Sequence, residues 1–253
     1  MTFPPPSWSP STKELAGKRV LVTGAGDGIG KAAALAYANA GAELLLLGKT
    51  EAKLDSLYDE IVASGAPTPA VIPCNLATVT YDSLCALAGE LAGEFNHLDG
   101  LLHNASLLGD RKPLSQANVG TWHEVMQVNV NAAFMLTQVL LPLLDQAPSA
   151  SIILTSSGVG RRGKAFWGAY AVSKFATEGF MQVLSEELGG TSNVRVNSLN
   201  PGPVNTAMRR TAYPAEPPET NPSPAEIMPL WLYLMSDASR GINGLAFDAQ
   251  PSV

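Results

Sequence analysis

Along most of the chain, short and nearly continuous apolar runs alternate with longer stretches whose apolar residues recur at helical spacing. The runs Arg19–Thr23, Glu43–Leu47, Ala70–Cys74, Gly100–His103, Ser151–Ser156, Val194–Leu199 and Leu245–Asp248 have strand length. Their lack of polar alternation predicts strands covered on both faces. Between them lie helical patterns at Gly30–Ala40, Glu51–Ser64, Tyr81–Phe95, Thr121–Leu144 and Gly168–Leu188. Strand and helix in alternation, joined by right-handed crossovers, close as a single doubly wound, Rossmann-like parallel sheet of about seven strands with helices on both faces.

Two stretches break the rhythm. Residues 1–14 carry Pro4, Pro5, Pro6 and Pro10 without apolar periodicity, which predicts an extended N-terminal arm ahead of one domain over 15–253. Residues 201–224 carry seven prolines together with Arg209 and Arg210, and a loop of that length reads as a lid or binding segment.

Composition narrows the function classes. The 253 residues are 46% hydrophobic and 15% charged, ample apolar material for one buried core. A net charge of -6 repels nucleic acid and anionic membrane surfaces, so neither is expected as a partner. The start lacks a basic segment followed by an apolar core, and Thr137, Gln138 and Pro142 interrupt the most apolar helical pattern. No membrane span is expected, and a cytoplasmic location is. Cys74 and Cys85 are spaced neither as a metal knuckle nor as a redox pair, so no metal and no disulfide framework are expected.

The first candidate chemistry follows the first predicted strand. Gly24-xxx-Gly28-x-Gly30 leads into an alanine-rich helical pattern, where backbone N–H groups and a helix N-terminus suit a pyrophosphate and glycines admit it closely. The longer-spaced G-x-G-x-x-G pattern is absent because position 29 is isoleucine, and a tight turn without a ligand has the same spacing. After the second strand the chain reads Gly48-Lys49-Thr50 with no acid. A basic residue there favours the 2'-phosphate of NADP over the bare ribose of NAD. A solvated surface lysine is the alternative for Lys49.

The second candidate lies past the fifth strand. Tyr170 and Lys174 stand four apart at a helix start and share one face, and an ammonium beside a phenol lowers its pKa toward working pH. Such a phenol can exchange the proton that accompanies hydride transfer. Ser157 ends a strand near the sheet edge where open α/β folds keep their sites, placed to hold a substrate oxygen.

Taken together, the Gly24/Gly28/Gly30 loop, Asn104-Ala105, Asn129 in Val128-Asn129-Val130, Ser157, Tyr170-xxx-Lys174 and Pro201-Gly202 resemble the short-chain dehydrogenase/reductase family over about residues 15–250. The stretches 102–105, 128–132, 167–170 and 247–251 resemble its YciK-type bacterial branch. The resemblance implies Tyr170 as acid/base, Lys174 as its activator and a ribose ligand, Ser157 as the orienter of a carbonyl or alcohol substrate, and Asn129 as the holder of a relay water. It implies a cofactor lying against Gly24, Asp27, Gly28, Ile29, Gly30, Lys49, Asn75, Leu76, Asn104, Ala105, Tyr170, Lys174, Pro201, Gly202, Val204 and Thr206. It also implies a homodimer or homotetramer.

The chain departs from the family pattern at Asn75, where the family has Asp, and at His103 and Ser106, where it has Asn and Gly. Asn75 keeps a carbonyl for an adenine amino group, Ser106 crowds the cofactor path, and His103 reads as a hydrogen-bonded structural residue. Arg161, Arg162, Lys164, Arg209 and Arg210 fit solvated loop charge better than an anionic substrate site. Two functions remain: an NADP-dependent oxidoreductase, or a catalytically silent nucleotide-binding protein of the same fold.

Overall fold

The computed structural model describes residues 4–5 and 7–250. Its seven strands are β1 (Arg19–Thr23), β2 (Glu43–Gly48), β3 (Ala70–Pro73), β4 (Gly100–His103), β5 (Ala150–Thr155), β6 (Val194–Asn200) and β7 (Ala246–Asp248). All pair in parallel in the order β3-β2-β1-β4-β5-β6-β7. The chain builds β1 to β3 outward on one side, then crosses back so that β4 pairs with β1 in the register Leu21↔Leu101. That reversal opens a crevice beyond the carboxyl ends of β1 and β4, the usual place for a ligand in such sheets.

The helices are α1 (Gly28–Asn39), α2 (Glu51–Ala63), α3 (Tyr81–Glu94), α4 (Val119–Met126), α5 (Ala132–Asp145), α6 (Gly168–Leu188), α7 (Ala207–Ala212) and α8 (Met228–Met235). Several starts are set by local chemistry. Thr80 and Ser83 form a reciprocal capping box on α3, and Asn118 caps α4 through Thr121 N, satisfying N–H groups that have no partner in the helix itself.

Alternation along the buried strands splits the core in two. Val20, Val22, Leu44 and Leu46 face one layer with Tyr37 of α1 and Trp231 of α8. Leu21, Leu45, Leu101 and Ile152 face the other with Leu136, Leu140 and Met181. Trp8, from the proline-rich start, lies edge-on to Tyr233 of α8 at 5.2 Å between ring centroids.

Two expectations need correction. The helical stretch from Val119 to Asp145 runs through Pro142, and by length and apolar composition it is long enough to cross a membrane. Its Leu136, Leu140 and Leu144 are fully buried against the sheet while Phe134 is exposed, so burial in the core accounts for part of its apolar surface. The segment 201–224 is less irregular than its prolines imply, since Thr206 caps the short α7 through Arg209 N at 3.1 Å. The helix α8, buried except at Pro229, is absent from the predicted elements. Apolar on every side, it has no amphipathic period to detect.

Candidate active site

A cleft of about 460 Å³ runs along the carboxyl edge of the sheet. It gathers every residue expected at the site except Gly30 and Asn129. Gly24, Asp27, Gly28, Ile29, Lys49, Asn75, Leu76, Asn104 and Ala105 line it, as do Ser157, Tyr170, Lys174, Pro201, Gly202, Val204 and Thr206.

At one end the loop between β1 and α1 is packed to the limit. A Cβ on Gly30 would stand 2.1 Å from Gly24 O and 2.6 Å from Asn104 Nδ2, and one on Gly24 would stand 2.9 Å from Ala105 Cα. Gly24 and Gly28 have φ of +66° and +53°, in the left-handed region that glycine enters without a Cβ clash. Thr23 fixes this contact: its hydroxyl donates to Leu102 O and accepts from Asn104 N at 3.0 Å and Ala105 N at 3.1 Å. The backbone cradle at the start of α1 fits a dinucleotide pyrophosphate.

The side chains here are partly committed. Asp27 accepts from Gly28 N at 2.7 Å and pairs with Lys53, whose hydrogen bond holds its carboxyl below the usual range. Asn75 Oδ1 accepts from Ala77 N within its own turn. Lys49 is exposed at the cleft wall, and Ser106 Oγ is buried at the cleft without a hydrogen-bond partner.

At the other end the groups are buried. Lys174 is 3% exposed and donates to Thr155 O at 2.8 Å, with Nζ 5.6 Å from the centre of the Tyr170 ring. Burial pushes Lys174 down to about 8, opposed by the charge of Glu178. Tyr170 is pushed up to about 12 by burial, against a hydrogen bond with Ser157. This corrects the expectation of a phenol lowered by its lysine, because desolvation of the buried phenolate outweighs the Ser157 hydrogen bond that favours it.

Asn129 sits in a π-helical turn, Gln127–Asn131, between α4 and α5, a local widening often found at functional sites. Its side chain accepts from Leu107 N at 2.8 Å and donates to Leu107 O and to Ser173 Oγ. It lines a second cavity of about 10 Å³ behind Lys174 together with His103. His103 is held by Thr137 Oγ1 at 2.8 Å and driven down to about 3 by burial and the Lys174 charge. It does not line the main cleft.

The profile of the short chain dehydrogenase family matches residues 18–217. The chain belongs to that family. It is 50% identical to the oxidoreductase YciK of Escherichia coli (strain K12) over 96% of both chains. A short chain dehydrogenase structure from Pseudomonas syringae superposes with a TM-score of 0.94 at 54% identity, covering 96% of this chain and 98% of that one. Another, from Escherichia coli and complexed with NADPH, gives 0.93 at 50% identity, with 96% and 100% covered.

Several residues of this short chain dehydrogenase lay outside the predicted site. Leu108, Trp167, Met208 and Ala212 make an apolar wall beside Tyr170. Arg111 stacks 4.0 Å over Trp167 and donates to Phe166 O and Ala212 O, fastening α7 to the rim. Arg161 and Arg209, read as solvated loop charge, are ion-paired instead, Arg161 with Glu178 and Asp248, Arg209 with Glu216. Their carboxylate partners leave neither as solvated loop charge nor as a ready anion site, and nothing in the sequence spacing links them.

Proposed function

We propose that this protein is an NADPH-dependent reductase of carbonyl compounds, reversible toward the alcohol, with Tyr170 as the acid/base. The observation that carries the reading is the buried pair Tyr170 and Lys174, with the half-buried Ser157 beside them, in the same cleft as the glycine cradle. A bound nicotinamide nucleotide supplies or accepts the hydride. Gly24 to Gly30 and the start of α1 would hold its pyrophosphate, and Lys49, exposed at the cleft wall, would serve a 2'-phosphate. The NADPH complex of a half-identical relative supports that choice.

Tyr170, with its pKa pushed up to about 12, is neutral at physiological pH and therefore a proton donor. It gives its proton to the substrate oxygen as negative charge develops there, while the Ser157 hydroxyl holds the same oxygen. Lys174 steadies the resulting phenolate. Asn129 stands in the π-helical turn behind Lys174, and Thr206, the cap of α7, lines the cleft opposite the glycine loop. The apolar wall and the carboxylate partners of Arg161 and Arg209 favour an uncharged, apolar carbonyl substrate.

The testing experiment is a panel of aldehydes and ketones followed by NADPH absorbance. A reading without catalysis expects nucleotide binding and no oxidation by any member. We also propose a homodimer or homotetramer, because Phe134 on α5 and Val172, Phe175 and Val183 on α6 are exposed. Light scattering at the monomer mass of 26.5 kDa would refute it.

A further inference from the structure

Beside the serine end of the cleft lies an ionic chain whose arginine and aspartate the proposed proton transfer does not use. Glu178, one turn beyond Lys174 on α6, is 7% exposed. Its carboxylate accepts from Ser156 Oγ at 2.5 Å, Arg161 Nε at 3.1 Å and Ser198 Oγ at 2.6 Å. Arg161 Nη1 donates to both oxygens of Asp248 at 2.9 Å, and Nη2 to Phe247 O at 2.9 Å. Asp248 in turn accepts from Asn200 Nδ2 at 2.7 Å, and Asn200 Oδ1 accepts from Gly202 N at 3.1 Å.

The two ends of this chain are not arbitrary. One is Ser156, the neighbour of Ser157, and the other is the Pro201-Gly202 turn; both Ser156 and Gly202 line the cleft. The loop between Ser157 and Arg161 also rests directly on α6. A Cβ on Gly160 would stand 2.7 Å from Lys174 Cβ and 2.8 Å from its carbonyl oxygen. Charge-assisted hydrogen bonds to a guanidinium fix geometry as well as energy, so Arg161 joins the turn and the serine loop through bonds of defined direction.

We propose that Arg161, with Glu178 and Asp248, is a positioning residue that couples the Pro201-Gly202 turn to Ser157 and Lys174. A nucleotide seated against the turn thereby tightens the segment that holds the substrate oxygen. The inference rests on the reading that this turn faces the cofactor and Ser157 the substrate.

Hydrogen exchange of the full chain with and without NADPH tests it. In the wild type, NADPH should protect both the glycine loop, 24–30, and the serine loop, 157–164. Arg161→Met should keep the first protection and lose the second. With any carbonyl that is turned over, its kcat should drop by about a hundredfold, the usual cost of a misplaced orienting group, while the Kd for NADPH holds. Arg161→Lys should restore part of both. If Arg161→Met does not fold, Asp248→Asn, which removes one anion at nearly constant volume, is measured in the same way. Undiminished protection of 157–164 in the folded variant overturns the coupling. Protection of the glycine loop alone in the wild type also overturns it and leaves the cofactor reading standing. No protection at either loop overturns that reading and the coupling with it.

Discussion

The two ends of the cleft are built from different materials. The phosphate end is made of main chain: glycines at φ of +66° and +53°, the start of α1, and a threonine that fixes the loop, with its charged side chains left exposed. The chemical end is made of side chains, and both Tyr170 and Lys174 are shifted by burial. A main-chain site tolerates exchange of its side chains and fails when an extra atom intrudes. A buried side-chain site fails when a single functional group is removed.

The largest expected effect separates the two. Tyr170→Phe should lower kcat by about 10²–10⁴-fold, the usual worth of general acid/base assistance, with NADPH affinity unchanged by fluorescence titration. A parallel loss of affinity would blur the distinction. Gly30→Ala attacks the other end, where the added carbon meets Gly24 O. Overpacking of that kind costs about 1–3 kcal/mol; carried into the closed cradle, that strain should lower NADPH affinity by about 5- to 150-fold. Normal affinity in this variant would mean the loop yields and the cradle is less tight than its contacts show.

Smaller effects sharpen the comparison. Lys49→Asp should shift preference from NADPH toward NADH by about tenfold in relative Kd, the scale of one charge reversal near 1.4 kcal/mol; an unchanged ratio would remove Lys49 from the 2'-phosphate site. The pH dependence concerns the chemical end alone. Lys174, at about 8, loses its proton as pH rises through that value, while Tyr170, at about 12, stays neutral. Reductive kcat/KM should therefore fall above about pH 8. Glu178 favours the charged lysine, so Glu178→Gln should move the fall to lower pH. A limb that does not move would mean that another group titrates there.

The sheet was legible in the sequence because each buried strand is a local apolar run, and the observed strands differ from the predicted ones by about a residue at their ends. The glycine loop and the Tyr170/Lys174 pair were legible for the same reason. One is a strand-turn-helix junction, the other an i, i+4 step on a single helix, and neither needs a distant partner to be recognised.

What escaped is non-local. Thr23 is an ordinary strand end until β4 arrives 81 residues later to offer Asn104 N. Arg161 looks solvated until Glu178, 17 residues on, and Asp248, 87 residues on, close around it. The π-helical turn at Asn129 and the pairing of His103 with Thr137 likewise depend on neighbours that only packing supplies.

The sequence by itself determined the alternation of strands and helices, the glycine cradle and the presence of a phenol beside an ammonium, since periodicity and spacing act over a few residues. The tertiary structure decided that the phenol is held neutral, that the lysine is weakened and that two arginines are ion-paired. Those outcomes follow from desolvation and from which charges meet in the folded chain, and both are properties of the enclosed site.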